Sequence, residues 1–337
     1  MKFYLGCDIS EGKINFCLCD GALICLEKEV VNSTNELKQF IKDVISFCGD
    51  VAQDRKHTLL LAMEYTGIYN NLLLDVVKEQ KVETVLIHAN NIKTAFGQDR
   101  LKNDKIDARK IAEYTMRFED KLQTWVPLSD NLQKLKHLMT ERSALIKTKA
   151  EFSQRLKGPS KFYPKGTTQQ ITGILTPVID EIEKAIKVIE QQILALVNED
   201  SETRQTYNLL LSVPGIGPVT ALTLIGYTAN FTKFDNAKQL GCYCGVVPFE
   251  HSSGTYKGKS KVSHKANKEI KTLLHMCAVS ISHTNSTFGK YYRRKILEGK
   301  NSMSALNALR NKILKTAFAC VKSKTPYQQE YQYTLVA

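Results

Sequence analysis

Asp104 and Asp107 stand three residues apart in the run Asn103-Asp104-Lys105-Ile106-Asp107-Ala108, and a helix beginning there sets both carboxylates on one face. Asn103 offers an N-cap side chain, with Ile106, Ile111 and Ala112 on the expected buried side. Two acids so close repel each other. The helix dipole relieves part of that repulsion and a divalent cation relieves much more, so the pair is either a solvated helix start or half of a metal site. Asp8 lies in the apolar run Phe3-Tyr4-Leu5-Gly6-Cys7-Asp8-Ile9-Ser10, and Glu64 closes the run Thr58-Leu59-Leu60-Leu61-Ala62-Met63. A single acid at a strand end is a turn residue; four acids brought together by two strands and a helix favour a metal site. Hard oxygen ligands on rigid elements suit two Mg²⁺ ions about 4 Å apart, with Mn²⁺ as a substitute, which activate an attacking oxygen and stabilise a leaving oxygen on phosphorus.

A second group of candidates lies far down the chain. Ser252-Ser253-Gly254 precedes the basic run Tyr256-Lys257-Gly258-Lys259-Ser260-Lys261-Val262-Ser263-His264-Lys265. A hydroxyl beside cations is where a nucleophile attacking phosphorus would stand; without other information the segment is a polar loop. Val213-Pro214-Gly215-Ile216-Gly217 between two apolar helices has the form of a helix-hairpin-helix turn. Gly215 and Gly217 would let backbone N–H groups approach a phosphate, or would simply let two helices pack. Arg293-Arg294-Lys295, following Tyr291-Tyr292, suits contact with a phosphate backbone. Cys242, Cys244, His251 and His264 fit no usual zinc spacing.

The acids need strands to carry them. Runs 3–10, 13–19 and 22–31, separated by Glu11-Gly12 and Asp20-Gly21, predict a three-stranded antiparallel meander. Ser33 with Glu36 is a capping box opening a helix to about 47, with Leu37, Phe40, Ile41, Val44 and Ile45 apolar. A strand at 58–63 buried on both faces, a helix at 68–79 and a strand at 82–87 complete a β-α-β alternation. This is the order of an RNase H-like fold. Further on, Leu132, Leu135, Met139, Leu145, Ile146, Phe152 and Leu156 mark the stripe of one long helix. Pro177 is expected to open a second, where Ile179, Ile182, Ile186, Ile189, Ile193 and Leu196 repeat like a coiled-coil seam.

Charge separates the two halves. Residues 1–200 hold 28 Lys+Arg against 28 Asp+Glu, whereas residues 201–337 hold 19 against 6, so the net +13 sits entirely in the C-terminal part. Between Lys257 and Lys324 there are 16 basic residues and 2 acidic ones, which points to a polyanion, and nucleic acid more than membrane. No apolar run approaches the roughly 18 residues that span a bilayer, and no signal-peptide pattern opens the chain. The nine cysteines include no Cys-x-x-Cys pair. An intracellular protein without a disulfide framework is expected.

Taken together, the acid series ending in Asn103-Asp104-Lys105-Ile106-Asp107-Ala108, the Val213-Pro214-Gly215-Ile216-Gly217 turn, and Gly245-Val246-Val247-Pro248 leading to Ser252-Ser253-Gly254 resemble the insertion-sequence transposases related to the Piv DNA invertase. The resemblance spans nearly the whole chain. It implies a RuvC-like catalytic domain at 1–125 holding Asp8, Glu64, Asp104 and Asp107 as a metal-binding tetrad. A helical coiled-coil-like arm at 126–200 and a mainly α C-terminal domain at 201–337 follow. Ser253 matches the serine expected to attack a DNA phosphate and form a covalent phosphoserine link, with Ser252 adjacent. The resemblance also implies Mg²⁺, donor and target DNA, a non-coding guide RNA, a dimer or tetramer pairing the tetrad of one subunit with the serine of another, and a place in a prokaryotic cytoplasm. Two other readings stay open: a RuvC-like nuclease or junction resolvase using activated water, and a nucleic-acid-binding scaffold without chemistry.

Overall fold

The first strand, β1 (Lys2–Ile9), is apolar along almost its whole length because both faces of its sheet are covered. In the computed structural model, the residues described are 1–21, 23–53, 56–97, 103–157, 162–164, 166–253, 256–263 and 266–329. They fall into two compact units, Met1–Pro127 and Leu128–Ala337.

In the first unit, β2 (Lys13–Asp20) and β3 (Leu23–Val31) complete an antiparallel meander with β1, while β4 (Thr58–Glu64) and β5 (Glu83–Ile87) run parallel to it, giving the order β3-β2-β1-β4-β5. This mixed sheet is the RNase H-like arrangement expected from the sequence. Strand side chains alternate between faces. Phe3, Leu5, Cys7, Leu61 and Met63 pack on one face with Leu37, Phe40 and Ile41 of α1 (Thr34–Ala52) and Leu73, Val76 and Val77 of α2 (Asn71–Glu79). Tyr4, Leu60 and Ala62 turn the other way, toward Ile92 of α3 (Ala89–Phe96) and Ile111 of α4 (Asp104–Phe118). By the same alternation Asp8 and Glu64 belong to the α4 face.

Some local expectations are corrected. Ser33 occupies the N-cap of α1 but its side chain makes no capping bond, and Ile45 is exposed. The helix expected at 68–79 is split into a 3₁₀ turn, Gly67–Asn70, and α2. No periodic pattern marks α3, whose eight residues carry a single buried apolar side chain, Ile92.

The second unit begins with α5 (Asp130–Leu156) and α6 (Thr167–Glu199). Arg142 pairs with Glu190, and Lys149 with Glu183; moving forward along α5 means moving backward along α6, so the two helices are antiparallel. Pro177 does not open α6. It lies inside the helix, which starts ten residues earlier at Thr167, so the first turns form ahead of the position where proline withholds its N–H. Ile179, Ile186 and Ile193 are buried, whereas Ile146 of α5 is exposed. At the base of the pair, Leu132, Leu135, Met139, Ile193 and Val197 share one core with α7 (Ser201–Ser212), α8 (Pro218–Thr228), α9 (Ala237–Tyr243), α10 (Lys268–Ser282), α11 (Thr287–Leu297) and α12 (Ser302–Ser323). The segment expected as a polar loop is instead a two-stranded hairpin, β6 (Pro248–Ser253) and β7 (Tyr256–Val262).

Candidate functional site

Asp8, Glu64, Asp104 and Asp107 line one cleft of about 370 Å³ in the first unit. Each is placed by backbone rather than by chance proximity. Asp8 is the penultimate residue of β1, opposite the buried Asn15 of β2, and Glu64 is the last residue of β4, opposite Ile87 of β5. The chain after Glu64 is fixed by Asn70, whose fully buried carboxamide donates to the Glu64 carbonyl (2.9 Å) and accepts from the Thr66 N–H (2.7 Å) and hydroxyl (2.9 Å). Thr66 also lines the cleft.

Asp104 and Asp107 occupy the first turn of α4, and Asn103 caps it by accepting from the Lys105 N–H at 3.0 Å, as expected. Ile111 and Ala112 are buried; Ala108 is buried in place of Ile106, which is only half-buried. That substitution follows from how closely α4 lies on the sheet. A Cβ on Gly6 of β1 would stand 2.3 Å from the Ala108 carbonyl oxygen and 2.4 Å from the Ala112 nitrogen, so only glycine fits beneath the helix. Ala108 and Ala112 complete this seam with Cys17 and Cys19 of β2. Arg109 grips Glu27 of β3 in a forked ion pair that holds the Glu27 carboxyl below its ordinary range. At the other end, Glu119 accepts from Lys2 (2.7 Å) and from the Tyr4 hydroxyl (2.9 Å). Gly6, Asn70 and Arg109 are positioning residues that pattern reading missed.

Lys93 of α3 and Lys110 of α4 line the same cleft, and the Lys110 Nζ is 3.7 Å from Asp107 Oδ1. Among the described residues no three His, Cys, Asp or Glu side chains stand together closely enough to hold a metal ion as arranged. The donor chemistry nevertheless fits one: four hard oxygen donors from three rigid elements open into a single cleft, with no soft ligand among them.

The other predicted residues lie in the second unit. Ser252 pairs with Lys257 and Ser253 with Tyr256 at the end of the hairpin, and Lys259 and Lys261 continue β7; Lys265 lies outside the described residues, as do Gly254 and His264. Gly215 is used for packing: it has φ +91°, and a Cβ there would sit 3.3 Å from the Cys277 carbonyl of α10. Gly217, at the N-cap of α8, faces open space. Arg293 donates to the Thr284 carbonyl (3.0 Å), while Arg294 and Lys295 pair with Glu298. Arg294, Lys295 and Lys312 of α12 also crowd the ring of Tyr291, with Lys312 Nζ 4.4 Å from its centroid. Tyr291, Lys312 and Lys315 line a cavity of about 420 Å³, adding α12 to the basic surface expected on α11.

Two family profiles match the chain in the same order as these sites. One, described as a DEDD-type IS110 transposase, matches residues 5–159, which contain all four acids; the other, "Transposase IS116/IS110/IS902 family", matches residues 207–293, which contain the hairpin. The chain belongs to the IS110/IS116 family of transposases. Members of this transposase family are DNA strand-transfer enzymes. The pilin gene-inverting protein of Moraxella lacunata is 26% identical over 97% of this chain and 98% of its own length. The transposase of insertion sequence element IS1111A from Coxiella burnetii is 26% identical over 73% of each chain. Among solved structures, Thermus thermophilus RuvC in complex with a Holliday junction substrate is 11% identical, covering 37% of this chain and 100% of its own, at a TM-score of 0.27. That score is too low to bear on the fold, which rests on the strand order above. Among the described residues no helix is long and apolar enough to cross a membrane.

Proposed function

We propose that this IS110-type transposase cuts and rejoins DNA strands with a divalent-metal tetrad of Asp8, Glu64, Asp104 and Asp107 and a serine nucleophile, Ser253. The observation that carries the reading is the single cleft lined by all four acids, which come from three separate elements. When bound, Mg²⁺ or Mn²⁺ supplies Lewis-acid polarisation of a phosphate and stabilisation of a leaving oxygen. The carboxylates' part is to hold the cation, with Asn70 and the Gly6 seam fixing where they stand. Lys93 and Lys110 moderate the negative field of the cleft so that a DNA phosphate can approach.

At the hairpin, the Ser253 hydroxyl oxygen forms a bond to phosphorus, the P–O bond to one deoxyribose breaks, and the departing sugar oxygen takes a proton. The result is a phosphoserine link that a second sugar hydroxyl later reverses. The excess of 16 basic over 2 acidic residues from Lys257 to Lys324 supports nucleic acid as the partner of this part, including Lys257, Lys259, Lys261, Lys265, Arg293, Arg294 and Lys295. A non-coding guide RNA and assembly as a dimer or tetramer complete the reading, as the family resemblance implies. Gly217 and the N-terminus of α8 are proposed as a contact to the backbone without sequence preference.

The test is strand transfer on the element's own DNA, with its flanking non-coding RNA and Mg²⁺. Wild-type protein should join strands, and Asp8→Asn or Asp104→Asn should not. Undiminished joining by both variants would put the chemistry at a centre other than these four acids.

A further inference from the structure

Arg310 of α12 is the one buried charged side chain among the described residues, 7% exposed, and its Nε has no hydrogen-bond partner. Lys271 and His275 lie one turn apart on α10, which packs against α12. Burial, and then Arg310, lower the ordinary values of each, and burial lowers that of Arg310 itself. His275 Nδ1 is likewise buried without a partner. Among the described residues none of the ion pairs involves Arg310, Lys271 or His275. A buried guanidinium without a counter-charge is unfavourable, and a bound anion would relieve it.

The place of the cluster says which anion. Gly245, with φ +65°, would bring a Cβ within 3.5 Å of the Lys271 Nζ and 2.6 Å of the Ala266 Cβ, so the chain passes directly over Lys271 just before β6. One turn before Arg310, Asn307 donates to the Val246 carbonyl at 2.9 Å. The cluster therefore underlies the root of the hairpin that carries Ser252 and Ser253. A planar guanidinium and an ammonium suit the delocalised oxygens of a phosphate. The exposed lysines and arginines of α11 are a generic basic surface, whereas a buried arginine with two flanking nitrogen groups can hold one phosphate in one place.

We propose that Arg310, Lys271 and His275 form an anion pocket between α10 and α12 that receives a single backbone phosphodiester of the nucleic acid beside the serine hairpin. The ligand's identity rests on the proposed function, but the pocket does not.

Two measurements on the full-length chain separate these. The first is thermal unfolding in inorganic phosphate against sodium chloride of equal ionic strength. Phosphate should raise the midpoint of the wild type and raise it less for Arg310→Met and Lys271→Gln. In phosphate-free buffer Arg310→Met should unfold at the same temperature or higher, since an uncompensated charge has been removed. A lower midpoint, or an equal phosphate response in all three proteins, overturns the pocket. The second is affinity for single-stranded DNA and RNA of one sequence across a salt series. Lys271→Gln should weaken binding about tenfold and reduce the salt slope by about 0.7. The strand type showing the larger loss identifies which backbone enters. An unchanged slope overturns the phosphodiester assignment. If wild type responds to phosphate yet binds neither strand, the anion pocket stands and both the phosphodiester ligand and the proposed function fall.

Discussion

Asp104 and Asp107 share a helix turn, and Asp8 and Glu64 share a sheet face, so charge repulsion is built into the cleft that all four line. A cation binding there should stabilise the fold. At about ten times its Kd, Mg²⁺ should add roughly 1.4 kcal/mol to unfolding of the wild type, and Asp104→Asn should lose that increment while its midpoint without metal stays the same or rises, since one repelling charge is gone. Calorimetry with and without Mg²⁺ checks this. Strand transfer by Asp8→Asn or Asp104→Asn should fall at least about 100-fold, since even outer partners of metal ligands cost up to that much. Asn70 positions Glu64 rather than serving as a ligand. Asn70→Ala leaves the Thr66 N–H and the Glu64 carbonyl without their buried partner and should cost about 1–3 kcal/mol, with activity falling although all four acids remain. The acids themselves were legible because apolar runs end in them. Asn70 was not, because a lone asparagine in a turn has no pattern until its three bonds are seen.

At the scale of elements, α4 is the piece that must be placed, and its seat is set by Gly6. Gly6→Ala drives a Cβ into backbone that cannot yield as a flexible side chain would, so α4 must lift. We expect a cost of about 1–3 kcal/mol, together with loss of Mg²⁺ stabilisation because Asp104 and Asp107 move with the helix. Tyr4 secures the far end of α4 and sets a pH limit. Burial, and then its bond to Glu119, push its hydroxyl up to about 12 from 10.0. A group raised on folding contributes below its unfolded value and loses that contribution as pH rises. Between pH 10 and about 12, wild type should therefore lose stability more steeply than Tyr4→Phe, which at neutral pH should be about 1 kcal/mol less stable. The strands and long helices could be read from their period. Short α3 could not, nor the hairpin at 248–262, whose glycines and lysines read as a loop. Pro177 misled because proline usually starts helices, yet α6 already has ten residues ahead of it.

At the scale of the whole molecule, the acids belong to one compact unit, Met1–Pro127, and the hairpin serines and the basic excess belong to the other, Leu128–Ala337. Charge asymmetry made that division of labour visible in the sequence, although α5 and α6, expected as a separate arm, join the core of the second unit at their base. If the two activities can be supplied by different chains, a mixture of Asp104→Asn and Ser253→Ala proteins should recover strand transfer that neither shows alone, measured on one DNA substrate. In the proposed function the acids and the serine serve one reaction. Its most direct measurement is the protein–DNA adduct formed in Mg²⁺, captured under denaturing conditions and mapped by mass spectrometry. Wild type should carry DNA on Ser253, while Ser253→Ala and Asp104→Asn should carry none. An adduct on another residue, or hydrolysed DNA ends with no adduct while Ser253→Ala cleaves normally, would contradict it.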